Sequence, residues 1–142
     1  MKIAVLAYAA GLIDGEGHIG LVRRNQSRLR KPLLSVSNTE IALLKFLRCH
    51  FGGAVILNKE ETPRTATCWE WHLFGDPLLR LLPKLIPLMR DRKKLARARM
   101  LVRGYKKVGN PRGVNYTPEK RERRLRFEKD FMALPTQRSR YK

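Results

Sequence analysis

The 142 residues carry 31 lysines and arginines against 12 aspartates and glutamates, a net charge of +19. With 43% hydrophobic and 30% charged residues, the composition is that of a folded globular chain and excludes a disordered one; no apolar run is long enough to span a bilayer. So much self-repulsion is offset by a polyanion, and nucleic acid, whose phosphates release counterions on binding, is expected ahead of an anionic membrane.

Residues 2–14 form an almost unbroken apolar and small-residue stretch, read as a buried helix. Its start resembles a signal peptide, but Asp14 and Glu16 interrupt it, so an intracellular protein is expected. Residues 18–28 alternate imperfectly, Ile19 and Leu21 on one side and Val22, Arg24, Gln26 and Arg28 on the other, a half-exposed strand with a basic outer face. Residues 33–37 read as its hairpin partner, with 27–32 as a basic connection. Asn38 or Thr39 caps a second helix, with Glu40 in its first turn, and Gly52-Gly53 stop it. Residues 54–58 and 67–74 form a second strand pair around a charged loop containing Pro63. A third helix, broken by Pro83 and Pro87, spans 77–89, and a basic fourth helix spans 92–105. After a basic, glycine-containing linker, Thr117-Pro118-Glu119 opens a last helix that ends near Leu134-Pro135, followed by a mobile tail. Cys49 and Cys68 fall in periodic apolar segments and read as buried free thiols.

Helix, two strands, helix, two strands, then helices is the order of an antiparallel sheet with helices on one face, the α+β class. One domain over 1–142 is expected, its core reaching about residue 105 and a basic linker and helix covering 106–135.

Chemistry concentrates where the first helix ends. Ala7, Ala10 and Gly11 place small residues at three- and four-residue spacings, so a second helix could approach closely. Asp14 and Glu16 then lie at a helix C-terminus, where acids oppose the macrodipole unless a positive charge compensates. A divalent cation would do so, and hard oxygen ligands suit Mg²⁺ best, with Mn²⁺ or Ca²⁺ as other occupants. A plain turn between helix and strand would also contain such acids. The small-residue helix before it and the basic strands after it favour a cation site.

Residues 9–17, AAGLIDGEG, closely resemble the LAGLIDADG signature, with Gly11, Leu12, Ile13, Asp14 and Gly17 in register and Glu16 where many members have Asp. The resemblance extends through the order of elements along nearly the whole chain. It implies the αββαββα LAGLIDADG homing-endonuclease fold, a saddle of antiparallel strands with extra C-terminal helices. It further implies Glu16 and the Gly15 carbonyl at the metal, with Asp14 in support. Asn38 stands where the family often has Gln or Asn near the metal, although helix capping explains it equally. Arg92 falls at the family's basic position after the third helix; Arg cannot serve as a base but stabilises phosphate charge, and Lys93 or Lys94 could share that task.

The family lays its sheet in the DNA major groove. That implies base contacts from Arg24, Gln26, Arg28, Arg30, Ser35, Glu70 and His72, phosphate contacts from Lys59, Arg64, Lys93 and Lys94, and inward-facing Trp69 and Trp71. The motif occurs once, so a homodimer paired through Ala7, Ala10 and Gly11 is expected, each chain supplying one Glu16. The activity implied is Mg²⁺-dependent cutting of both strands of a long, near-palindromic DNA site, leaving 3′ overhangs, by an intron-encoded enzyme. An intron-RNA-binding maturase is the alternative, and a DNA-binding protein without catalysis a third.

Overall fold

The fold was analysed in a computed structural model that describes residues 1–24, 29–111 and 113–136. Gln26, Arg28 and the tail from residue 137 lie outside these residues.

Helix α1 (Ile3–Glu16) contains no charged residue before Asp14 and is rich in Ala and Leu, the best helix formers. It passes into β1 (Gly17–Arg23) with no residue between them. Only glycine permits this step at position 17, because a Cβ there would lie 2.6 Å from the Ile13 carbonyl oxygen. The strand β2 (Arg30–Asn38) returns antiparallel, followed by α2 (Ile41–Phe51), β3 (Ala54–Lys59) and β4 (Cys68–Phe74). Helix α3 (Gly75–Leu85), a 3-10 turn at Ile86–Leu88, α4 (Arg92–Gly104) and α5 (Pro118–Met132) complete the chain. The sheet is antiparallel with strand order β1-β2-β4-β3.

Strand periodicity sends Ile19, Leu21, Leu34, Val36, Trp71 and Leu73 to one face, where they meet Leu6, Ala9, Ala10 and Ile13 of α1, Leu44 and Leu47 of α2, and Leu78, Leu82 and Leu85 of α3. Each such Leu or Ile stabilises the fold by about 1.5–3 kcal/mol through burial. Trp71 is fully enclosed, and its indole N–H donates to the Gly52 carbonyl at 2.8 Å. Gly52 and Gly53 stop α2 at positive φ, and a side chain at Gly53 would collide with the His72 carbonyl.

Several boundaries differ from expectation. The connection expected over 27–32 is partly strand, since β2 begins at Arg30 and Pro32 pairs with Leu21. The missing N–H of Pro32 is tolerated because pairing with β4 starts one residue later, at Leu33 opposite Phe74. Helix α3 starts two residues early and runs through Pro83, then tightens into the 3-10 turn around Pro87. The cap of α2 is Glu40, whose carboxylate accepts from the Ala42 amide at 3.2 Å, while Asn38 accepts from the Glu40 amide at 2.8 Å. Thr117 caps α5 as expected. The cysteines are free but not buried: Cys49 is exposed and Cys68 half-buried. Among the described residues no helix is long and apolar enough to cross a membrane.

Candidate active site and nucleic-acid interface

The C-terminal end of α1 is wired to the start of α4. The Asp14 carboxylate accepts from the Arg90 amide at 2.8 Å and the Asp91 amide at 3.0 Å. Asp91 in turn caps α4, accepting from the amides of Lys93 and Lys94 at 3.0 Å each. Lys94, only 5% exposed, closes the circuit: its ammonium donates to the Ile13 carbonyl at 2.9 Å and the Asp14 carbonyl at 2.6 Å. The positive charge required at this helix end is therefore supplied from within the chain. Burial pushes the Lys94 ammonium below its ordinary pKa, opposed by the nearby charges of Asp91, Asp14 and Glu16.

Two residues beyond Asp14, Glu16 is exposed at the edge of a cleft of about 760 Å³. The cleft also takes in His18, Ser35, Glu70, Lys59 and Lys93, a mixture of acids and cations open to solvent. Among the described residues no three His, Cys, Asp or Glu side chains converge. Glu16 stands beside the open backbone of Gly15, where an added Cβ would meet nothing within 4 Å. These donors suit an ion shared with oxygens from outside the chain. They do not form a closed cage.

From the cleft the outer face of the sheet continues. Cross-strand partners share a face, so His18, Ser35, His72 and Ala54 make one row, with Ser37, Glu70 and Ile56 on one side and Gly20, Leu33 and Phe74 on the other. His72 Nε2 lies 2.9 Å from Glu70 Oε1. Arg24, just past β1, stacks its guanidinium 4.2 Å from the Phe74 ring centre. Trp71 points inward as expected, and Trp69 is half-buried against the core.

Solved structures with the same arrangement include the homing endonuclease I-CvuI in complex with its target in the presence of calcium. It is 21% identical at a TM-score of 0.70, with 94% of this chain and 83% of that chain covered. The archaeal intron-encoded homing endonuclease I-Vdi141I complexed with DNA follows at 17% identity and TM-score 0.61, over 93% and 84%. The I-SmaMI LAGLIDADG homing endonuclease bound to cleaved DNA matches at 21% identity and TM-score 0.52, over 72% of this chain and 35% of that chain. This chain has the LAGLIDADG homing-endonuclease fold. No protein-family model and no curated protein matches the sequence.

Within the LAGLIDADG fold, Glu16, Ser35, Lys59, Glu70, Lys93 and Lys94 all line the one cleft, and His72 adjoins it. Ser35, expected in the open, is 6% exposed, standing between His18 and His72 in its row. Lys94 is not on the surface; it is spent on α1. Arg30 is turned to the protein, donating to the Leu21 carbonyl at 3.3 Å while its own backbone is held by α5. Arg92 is exposed and does not line the cleft. Arg64 is exposed in the β3–β4 loop. Lys93 donates to the Thr136 carbonyl at 3.1 Å.

The LAGLIDADG helix also presents an outer face. Ala4, Ala7, Tyr8, Gly11 and Gly15 are exposed at helical spacing, with Tyr8 at 48%. Ala10 is instead completely buried in the chain's own core, which removes it from the expected pairing surface. Among the described residues, nothing beyond its own helix backbone lies within 4 Å of a Cβ added at Gly11. Sequence reasoning missed His18 and Ser37 in the cleft, and Arg97, within the basic fourth helix, turns inward. Alternation from Ile19 and Val36 places His18 and Ser37 outward. Arg97 donates to the Ile19 and Leu134 carbonyls at 2.9 and 3.2 Å and stacks on Phe131; burial pushes its guanidinium below its usual pKa.

Proposed function

We propose that this chain, acting as one domain over 1–142 inside the cell, is a site-specific endonuclease that cuts both strands of double-stranded DNA as a homodimer. The observation that carries the reading is the position of Glu16. It is a bare carboxylate at the end of an α1 whose outer face is apolar and glycine-bearing, at the mouth of a cleft that opens onto the polar face of the sheet. Pairing two copies along Ala7 and Gly11 would bring two Glu16 carboxylates together, and a long, near-palindromic site follows from the two-fold axis. The fold neighbours described as homing endonucleases with DNA support the same reading.

Glu16 and the Gly15 carbonyl, with phosphate oxygens, are the groups that would hold Mg²⁺. When bound, the ion supplies charge stabilisation to the phosphate under attack and to the departing 3′ oxygen. The chain's own residues hold the substrate for that step. Lys93 and Lys59 meet phosphates, Asp14 and Lys94 fix the end of α1, and Glu70, His72 and Arg24 face base edges. Cutting leaves 3′ overhangs, and the gene is carried by an intron. Intron RNA is the second reading, favoured by the groove between α4 and α5 where Arg99, Arg103 and Lys107 gather away from the strands.

The test is incubation with Mg²⁺ and a plasmid library carrying randomised near-palindromic sites, beside Glu16→Gln. Linear product from the parent alone is expected. Equal cutting by both, or tight RNA retention without any cut DNA, would overturn the reading, and a sedimentation mass of one subunit would remove the dimer.

A further inference from the structure

Helix α5 adds no strand to the sheet, yet two of its side chains are buried against the β1–β2 hairpin. Glu128 Oε1 accepts from the Arg30 amide at 2.6 Å. Arg124, one turn earlier, donates through Nη2 to the Arg30 carbonyl at 2.7 Å and to the Tyr105 hydroxyl at 2.8 Å, and its guanidinium lies 4.3 Å from the Tyr105 ring centre. Both main-chain groups of one residue are therefore gripped by one helix. Arg30 passes the restraint on, because its guanidinium bonds the Leu21 carbonyl across the hairpin.

As an ion pair this arrangement is poor. The two side chains are only 4% and 7% exposed, yet their closest charged atoms, Arg124 Nε and Glu128 Oε2, are 3.9 Å apart, and neither atom has a hydrogen-bond partner among the described residues. Apolar side chains of similar volume would avoid desolvating two charges, and such replacements are often neutral or stabilising. They could not bond an amide and a carbonyl of the same residue in a fixed direction. The arrangement fixes a direction that apolar packing would not.

We propose that Arg124 and Glu128 are positioning residues that set the tilt of the β1–β2 hairpin and thereby decide which base pairs its outer face meets. The inference rests on the DNA-cleaving reading, to which it adds a determinant of specificity lying off the sheet.

The test is Arg124→Met/Glu128→Leu. Its thermal stability should fall, because the Arg30 amide and carbonyl lose charged partners, and the amides of Leu21, Val22, Arg30 and Lys31 should speed up in exchange by a larger factor than those of β4. In selection from a randomised duplex pool, discrimination at the positions facing the hairpin should fall about tenfold, on the order of one mismatched base pair. Glu128→Gln, which keeps an oxygen for the Arg30 amide, should retain both properties. If the double variant does not fold, Arg124→Met alone carries the exchange measurement. Unchanged hairpin exchange, or a selected site of unchanged stringency at every position, would overturn the clamp. A parent protein that selects no DNA sequence would instead overturn the DNA-cleaving reading, and the exchange result would still decide whether the clamp orders the hairpin.

Discussion

Asp14 and Glu16 are two residues apart in one motif and have opposite surroundings. Asp14 is saturated: two backbone amides bond its carboxylate, and Lys94 covers its carbonyl. Glu16 is exposed and accepts no hydrogen bond among the described residues. The same carboxylate chemistry is thus used once to lock two helices together and once to face whatever enters the cleft. Acids in a motif are not equivalent. Their neighbours decide which one is free to act.

The contrast can be broken most directly at Glu16. Glu16→Gln should lower DNA cleavage by about a hundred- to a thousandfold, the scale seen when a charge-stabilising group is removed, with no change in melting temperature. Asp14→Ala should do the reverse. Losing two amide bonds to a charged acceptor costs about 3 kcal/mol of unfolding free energy by denaturant titration, and cleavage should fall only as far as the folded fraction does. If Asp14→Ala abolishes cutting at full stability, the division of labour between the two acids is wrong. Gly11→Leu sharpens the outer side of the comparison: sedimentation should shift from dimer to monomer while the monomer's stability stays within about 0.5 kcal/mol. The smallest effect is expected on the sheet. Glu70→Ala should relax preference at one base pair by about 1–3 kcal/mol in a binding selection and leave stability and cutting of the best site nearly intact.

The sequence made α1, the two hairpins and the cap of α5 legible, because each rests on local rules of spacing and capping. It did not distinguish Ala7 from Ala10. A helix that is apolar on every side has no polar face to give its orientation, so only the packed core shows that Ala10 points in. Nor could it separate the four buried ionic side chains among the described residues, Lys94, Arg97, Arg124 and Glu128, from their exposed neighbours. Their partners are backbone groups some 37 to 98 residues away, at Ile13, Ile19, Arg30 and Leu134. In a chain this rich in cations, a charged helix face looks the same whether it meets water or a carbonyl. Arg92 was carried over from the resemblance with Lys93 or Lys94 as its companions, and Lys94, one half-turn further on, is the side chain that reaches the motif.

The absence of any loop between α1 and β1 has one last consequence. Glu16 and His18 are joined by a single glycine that admits no side chain, so on the proposed DNA-cutting reading the cleavage point and the outer face of the sheet would be held at a fixed separation, like marks on a ruler. New targets could then be acquired by rewriting residues farther along the strands. A site lengthened by one base pair at its centre should be refused however well its flanks agree.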